Sequence, residues 1–506
     1  MEEFYVNPLS KKHGLRADDL RQEAKLLRLC EDLQAKILTP APGVIDWHFS
    51  SLEFTVQQAL AADWPTWDKF GSRTVWGRKQ GHTWFAANVT VAAEAAGKTL
   101  VLRFSSQWQD RLGSTDPQCL AYLNGSIVQA LDGNHTELVI ARDAVPGDRF
   151  DLMINAFTFF ERPLVGFKVE FLVRHERAEQ LYYDLQIPLE VAVRLPQHDE
   201  RRHAIMGLVN KSLRELDRRG DVGEGFEMSL GAAEKIAAQI YALKDTAIKP
   251  TISAVGHTHI DVGWLWRVLH TRDKTGRSFA TALALMEEYP DFTFMYNQAV
   301  LFDFLKRDYP EIWARVKERV ASGQFEIEGA MWVEPDVNII SGESIIRQFI
   351  RGRQFHIEEF GVTPKVVWLP DTFGYSANLP QIMARSGFDY FVTSKLSWND
   401  SDRQPFDTFF WRGIDGSTTK AQLITTQDFD SEEIFTTYNS NLSPSEVMGA
   451  WKRYEPKALN DEVLICYGHG DGGGGPTRAM IESGKRMARG IPGAPNVKFE
   501  GIAQFL

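Results

Sequence analysis

Three side chains able to bind a metal stand at alternate positions in residues 253–266, SAVGHTHIDVGWLW: His257, His259 and Asp261. In an extended backbone, alternate residues share one face. Two imidazoles and a carboxylate at the end of an apolar strand would make half of a divalent metal site. A strand end with polar residues in solvent is the competing reading, and a single His would favour it. Two His and an Asp followed by Gly-Trp favour the metal.

Further along, one apolar segment after another ends in ionisable or aromatic residues: Trp332, Glu334 and Asp336, then Asp371, then Lys395, then His469 and Asp471. Asp371 follows the apolar run VVWLP directly, where a carboxylate is costly unless paired or metal-bound. It could instead cap a helix, but Thr372, Phe373 and Gly374 intervene before the next helix, which is expected near Ser376. His469 and Asp471 precede four glycines, which would let the backbone approach a ligand closely. A flexible glycine turn is the plainer alternative. The run lacks the Lys-Ser/Thr of a phosphate loop, so nucleotide binding is rejected.

The elements that must carry these residues fall into blocks. Residues 17–37 have helical apolar spacing, with Leu20, Leu27, Leu33 and Ile37 among charges, and close a lead-in of residues 1–43,. Residues 44–178 read as short strands with turn signals at Asn124-Gly125 and Asp132-Gly133, predicting an antiparallel β-sandwich,. Its Trp64, Trp67, Trp76, Trp84 and Trp108 are assigned mostly to core packing, with a sugar-binding face as the alternative. Residues 179–248 return to helical spacing and read as a connector. Residues 249–506 alternate strand and helix, which predicts an α/β domain with a seven- or eight-stranded parallel, barrel-like sheet. In such a sheet the carboxyl ends of the strands share one face. Residues scattered from 257 to 471 would then converge on one pocket.

A chain of 506 residues is expected to hold two to four domains,. A net charge of −11 argues against non-specific nucleic-acid binding, which needs a basic face,. No stretch approaches the roughly 20 apolar residues of a membrane span, and the first residues lack a signal-peptide core. Cys30, Cys119 and Cys466 are too few and too far apart for a disulfide framework, so the expected compartment is the cytoplasm,.

On these residues the chain resembles the glycoside hydrolase family 38 α-mannosidases, in particular the cytosolic and vacuolar branch and its bacterial relatives. The matching stretches are AVGHTHIDVGWLWR, WVEPDVNIISGESIIRQ, VWLPDTFGYSANLPQI, TSKLSWND and YGHGDGGGGPT, within residues 251–506. The resemblance implies a retaining, metal-dependent α-mannosidase acting on terminal α-linked mannose of oligosaccharides. It implies His259, Asp261 and Asp371 as ligands of one divalent ion, zinc, with cobalt as the alternative. It makes Asp371 also the nucleophile and Asp471 the general acid/base. Trp264 and Phe373 would form the aromatic floor of the sugar subsite, and Lys395, Trp398, Asn399 and His469 would line it. The family's fourth ligand is a His in a downstream motif, and its C-terminal helical and β domains also lie downstream. The expectation is therefore the N-terminal and catalytic portion of a longer enzyme, or a truncated product with an open three-ligand site.

The chemistry suits the residues. Retaining hydrolysis needs one carboxyl group to attack the anomeric carbon and another to protonate the leaving oxygen. Asp471 is expected to be protonated at the first step, through burial or repulsion by Asp371. Two other readings stay open. A metal-dependent amidohydrolase would use His257 and His259, with Lys395 bridging two metals. A sugar-binding remnant without catalysis would use only the aromatics. Neither a nucleic-acid nor a membrane partner is expected, and homo-oligomerisation is left open.

Overall fold

The apolar spacing near the start of the chain forms the helix Ala17–Gln34. Its buried positions, Glu23, Leu26, Cys30 and Leu33, recur every three or four residues,. Glu23 is tolerated there because Arg202, on the helix Glu200–Glu215, pairs with it inside the fold,. The computed structural model describes residues 17–43, 45–105, 108–109, 115–159, 164–165, 168–220, 222–245, 249–399 and 401–506.

Two antiparallel sheets follow. One is ordered Leu38–Pro40, Lys168–Arg174, Thr99–Ser105, Glu137–Ala141. The other runs Ser126–Leu131, Gln118–Leu123, Arg149–Thr158, Gly81–Thr90, His48–Ser50, Asp68–Lys69. Alternate residues face inward and meet in one core, with Leu100, Leu102 and Phe104 against Phe85, Ala121, Leu152 and Ile154,. The Asn124-Gly125 signal is a tight turn with both residues at positive φ, 51° and 83°,. Trp76 is buried in this core, whereas Trp84 is buried in the larger apolar cluster shared with the helices, against which Trp64 and Trp67 pack partly buried. The side chain of Trp108 lies outside the described residues. The strand Leu38–Pro40 joins the sandwich ahead of residue 44, and the first connector helix starts at Glu176 rather than 179.

The connector helices are Glu176–Ala192, Glu200–Glu215 and Glu224–Ala237. Ion pairs tie the first of them to the α/β region that follows: Arg478 to Glu179 at 2.7 Å and Arg486 to Asp184 at 2.9 Å. No described helix is long and apolar enough to cross a membrane.

The remaining strands are β1 (Thr251–Gly256), β2 (Phe294–Tyr296), β3 (Phe325–Ile327), β4 (Val366–Trp368), β5 (Tyr390–Thr393), β6 (Thr408–Arg412), β7 (Thr418–Leu423), β8 (Glu462–Tyr467) and β9 (Asn496–Phe499). They form two sheets rather than one continuous ladder: β3-β2-β1-β8, with β9 also beside β1, and β4-β5-β7-β6. Among the described strands every pairing is parallel except that of β6 with β7. β6 is antiparallel to β7 and was not expected from the sequence, because its run of aromatics carries no alternation.

The two sheets meet at two seams. Past β3, Glu328 Oε2 accepts the backbone N–H groups of Lys365 and Val366 at 2.9 and 3.0 Å. Past β7, the Thr425 N–H donates to the Leu464 carbonyl at 3.4 Å. Both sheets contribute to one apolar cluster, with Val255, Met295, Leu464 and Cys466 from the first and Val366, Trp368 and Val392 from the second. Side-chain and single-bond seams thus stand where a closed sheet would have ladders.

Candidate active site

β1 ends at Gly256, so the alternation that would point His257 and His259 the same way ends with it. His257 turns inward. Its ring lies 6.0 Å from Tyr296 and 5.0 Å from Trp368, both measured between centroids. Burial there pushes its pKa down to about 3,. His259 is also buried, but among acids. Its Nε2 is 3.4 Å from Asp261 Oδ1 and 3.6 Å from Asp371 Oδ2, and its Nδ1 is 3.3 Å from Glu334 Oε1. Burial opposes a charged ring, yet Glu334 and Asp261 outweigh it and hold His259 well above the ordinary histidine range.

Local structure sets each acid in place. After Asp261 the chain turns at Gly263, whose φ of 82° suits glycine,. The Asp261 carbonyl accepts from Thr271 Oγ1 at 2.8 Å, at the start of the helix Val268–Glu288. Asp371 stands on a loop held by Ser394 Oγ on the Pro370 carbonyl, 2.7 Å, and by Tyr375 OH on the Leu369 and Thr372 carbonyls. It caps no helix, since the next one, Leu379–Ser386, has Asn378 at its N-cap. Lys395 Nζ lies 2.7 Å from Asp371 Oδ1 and 3.7 Å from the centre of the Trp398 ring. Asp471 has φ of 53°, a conformation that costs energy in a non-glycine residue and clusters at functional sites,. Tyr438 OH donates to its Oδ1 at 2.8 Å, and Asn439 Nδ2 lies 3.5 Å from Oδ2. Burial pushes the Asp471 carboxyl above the ordinary aspartate range, against the pull of His259 and Tyr438, with Asp261 and Asp371 adding repulsion.

Ligand atoms of His259, Asp371 and Asp471 all lie within 4.8 Å of one another. Asp261 joins this group through His259 Nε2. One imidazole nitrogen facing carboxylate oxygens is a donor set that suits a divalent ion. Glu334 faces the other ring nitrogen at 3.3 Å, and Nε2 is the one turned towards Asp261 and Asp371,. A cleft of about 220 Å³ opens here, lined by His259, Asp261, Glu334, Asp336, Asp371 and Phe373 among others. Larger clefts of about 660 and 780 Å³ lie elsewhere. The first is lined largely by ion pairs already made, the second by an apolar helix face, and neither gathers comparable chemistry.

The other expected residues divide. Trp264, Phe373 and Trp398 are about half exposed or more, at 51%, 67% and 49%. Phe373 and Trp398 stand edge to face, 6.3 Å apart. Asn399 is engaged in its own turn, accepting the N–H groups of Ser401 and Asp402. The His469 ring faces His135 of the sandwich edge-on, at 6.5 Å, and burial lowers its pKa to about 4. Asp336 accepts the N–H groups of Asn338 and Ile339, again a local turn. The glycine run, expected to approach a ligand, instead approaches protein. A Cβ on Gly474 would lie 2.6 Å from the His135 ring, and one on Gly470 would lie 2.3 Å from Asn439 Oδ1.

Three contributors were missed. Glu334 was noticed at a strand end but given no role. Tyr438 and Asn439 lie in TTYNSN, a polar stretch without periodicity and outside any helix or named strand.

Residues 249–506 match the family model described as glycosyl hydrolases family 38 N-terminal domain. The chain belongs to glycoside hydrolase family 38. Alpha-mannosidase G of Dictyostelium discoideum is 30% identical over 499 residues, covering 95% of this chain and 42% of the relative. Alpha-mannosidase 2C1 of Homo sapiens is 33% identical over 457 residues, covering 86% of this chain and 41% of the relative. Among solved structures, an alpha-mannosidase from Enterococcus faecalis V583 aligns over 51% of this chain and 29% of its own, with 20% identity and a TM-score of 0.41. This family 38 chain thus spans about two fifths of the length of those two curated relatives.

Proposed function

We propose that this family 38 chain carries the catalytic centre of a retaining α-mannosidase that removes terminal α-linked mannose from oligosaccharides. The observation that carries the reading is the convergence of His259, Asp371 and Asp471 within 4.8 Å, with burial raising the Asp471 pKa above the usual aspartate range. Retaining glycosidases keep their two carboxyl groups about 5–5.5 Å apart, and a close Asp371–Asp471 pair supports that outcome.

In the first step, Asp371 attacks the anomeric carbon while Asp471 gives its proton to the leaving glycosidic oxygen. The C–O bond breaks and a mannosyl ester forms on Asp371. In the second, Asp471, now a carboxylate, takes a proton from water, whose oxygen attacks the anomeric carbon and frees Asp371. Tyr438 OH orients Asp471 through Oδ1. Lys395 complements the carboxylate charge of Asp371 before the ester forms and again once water has released it. Trp264, Phe373 and Trp398 offer exposed faces for a pyranose ring. His259, Asp261 and Asp371 would hold a zinc or cobalt ion, which when bound polarises adjacent sugar hydroxyls.

Three free, buried cysteines suit a reducing compartment, and the cytoplasm is the site of action in this reading,. The amidohydrolase alternative loses support from His257, packed among aromatic rings, and from Lys395, paired with Asp371. The test is metal content of the purified chain together with turnover of an aryl α-mannoside, with and without added zinc or cobalt. About one metal per chain and metal-dependent turnover with retained configuration are expected. Binding of mannosides without turnover would leave a sugar-binding protein instead.

A further inference from the structure

The loop that carries Asp471 is gripped from outside its own domain. Gly472, Gly474 and Gly475 all have positive φ, between 75° and 93°, and a glycine-rich segment has much freedom to lose on ordering. Within the catalytic domain the loop is pinned by the reciprocal His469–Gly475 backbone pair, 2.9 Å each way, and by the Gly472 N–H on the His259 carbonyl at 3.3 Å. Two further bonds come from the sandwich. Asn134 Nδ2 donates to the Gly473 carbonyl at 3.0 Å, and His135 Nε2 donates to the Pro476 carbonyl at 2.9 Å.

The donors are themselves fixed. Asp132 Oδ1 accepts the N–H groups of Asn134 and His135 at 2.8 and 2.9 Å and faces His135 Nδ1 at 3.1 Å. Asp132 and His135 are both buried, at 6% and 7% exposure. The fit is also steric, since the space a Cβ on Gly474 would need is filled by the His135 ring and by Asp132 Oδ2. A turn needed only to join two domains has no reason to bond to the two carbonyls that flank the most constrained part of this loop.

We propose that Asn134 and His135 of the sandwich are positioning residues for Asp471, so that the β-sandwich is part of the catalytic apparatus. The catalytic half of this statement rests on Asp471 being the acid/base.

The experiment uses the 506-residue chain carrying Asn134→Ala and, separately, His135→Gln. Amide hydrogen exchange across residues 470–475 is expected to quicken roughly tenfold in both, the scale of one lost hydrogen bond, while the melting temperature of Asn134→Ala stays near that of the parent. On substrates, kcat should fall more for a mannosyl disaccharide than for a dinitrophenyl α-mannoside, whose leaving group needs no proton, with KM little changed. Combined with Asp471→Asn, Asn134→Ala should cost nothing further on the disaccharide. Unchanged exchange in the loop, equal losses on both substrates, or full additivity with Asp471→Asn would each overturn the proposal. If Asp471→Asn alone treats both substrates equally, it is the acid/base reading that fails, and the exchange result still decides whether the sandwich holds the loop.

Discussion

Glu334 Oε1 lies 3.3 Å from His259 Nδ1, while His259 Nε2 looks the other way towards Asp261 and Asp371. Asn297 Nδ2 donates to the same Glu334 oxygen at 2.7 Å and so fixes it. A carboxylate behind a ligating imidazole selects its tautomer and aims its free nitrogen. Glu334→Ala is therefore expected to weaken zinc affinity by about 10–100-fold, with Glu334→Gln at the low end. Competition against a chelator measures this directly. Unchanged affinity in the Ala variant would remove Glu334 from the metal site.

Asp371 and Asp471 both reach the His259 cluster, and metal binding separates their roles. Asp371→Ala is expected to lose bound zinc and to lower turnover by about 10⁴-fold or more, as for a nucleophile. Asp471→Ala is expected to keep zinc and to lose about 10²–10⁴-fold on substrates that need protonation. A loss of zinc in Asp471→Ala comparable to that in Asp371→Ala would make Asp471 a ligand, and the acid would have to be sought elsewhere.

The pH profile follows from the direction in which burial moves Asp471. A general acid works in its protonated form, so kcat/KM should decline as pH rises through the folded-state pKa, which stands above the ordinary value of 3.8,. Asp471→Asn should abolish that alkaline limb and leave the rest of the profile. A limb that persists unchanged in the variant would belong to another group.

What could be read from the chain before folding was local. The residues Ser443-Pro444-Ser445-Glu446 have the types and spacing of a capping box, and the helix Pro444–Arg453 starts on that box,. Asp371 and Asp471 sit just past β4 and β8, where an apolar strand must hand its chain to a loop. The illegible parts depend on what comes near from elsewhere in the sequence. The inward turn of His257 follows from β1 ending one residue earlier, which strand alternation cannot foresee. The glycines after Asp471 have their reason some 340 positions upstream, in Asn134 and His135, and no spacing within the motif records that. Tyr438 reaches Asp471 from an irregular loop, where no periodicity points.

The buried pair of Glu23 and Arg202 staples the first helix to the connector. Both side chains are essentially inaccessible, so removing one leaves the other charge unpaired in the core. Arg202→Ala is expected to destabilise the fold by about 3–5 kcal/mol, whereas a double change to Leu and Met should be neutral or stabilising. Urea unfolding of the three proteins tests this. A small loss in Arg202→Ala would mean that water reaches Glu23.

The sandwich turn should also respond to pH. His135 faces two acceptors, the Pro476 carbonyl through Nε2 and Asp132 Oδ1 through Nδ1, so both bonds can be made only by the protonated ring,. Burial opposes the charge, but Asp132 and the Pro476 carbonyl outweigh it and raise the His135 pKa above its ordinary 6.5. Asp132 moves the other way: burial would raise its pKa, but His135 and two backbone N–H groups hold it below 3.8. His469, the other titratable ring facing this turn, has a pKa lowered to about 4 and stays neutral across the alkaline window. A raised folded-state pKa contributes stability that is complete below pH 6.5 and is lost as pH rises through the folded value. The margin between the parent chain and His135→Gln should therefore shrink above pH 6.5. Asp132 adds the opposite flank, with its share lost as pH falls below 3.8 towards its lower folded value. Denaturant unfolding from pH 5 to 9 reads the alkaline flank, and a margin constant over that range would mean that His135 holds Pro476 as a neutral ring.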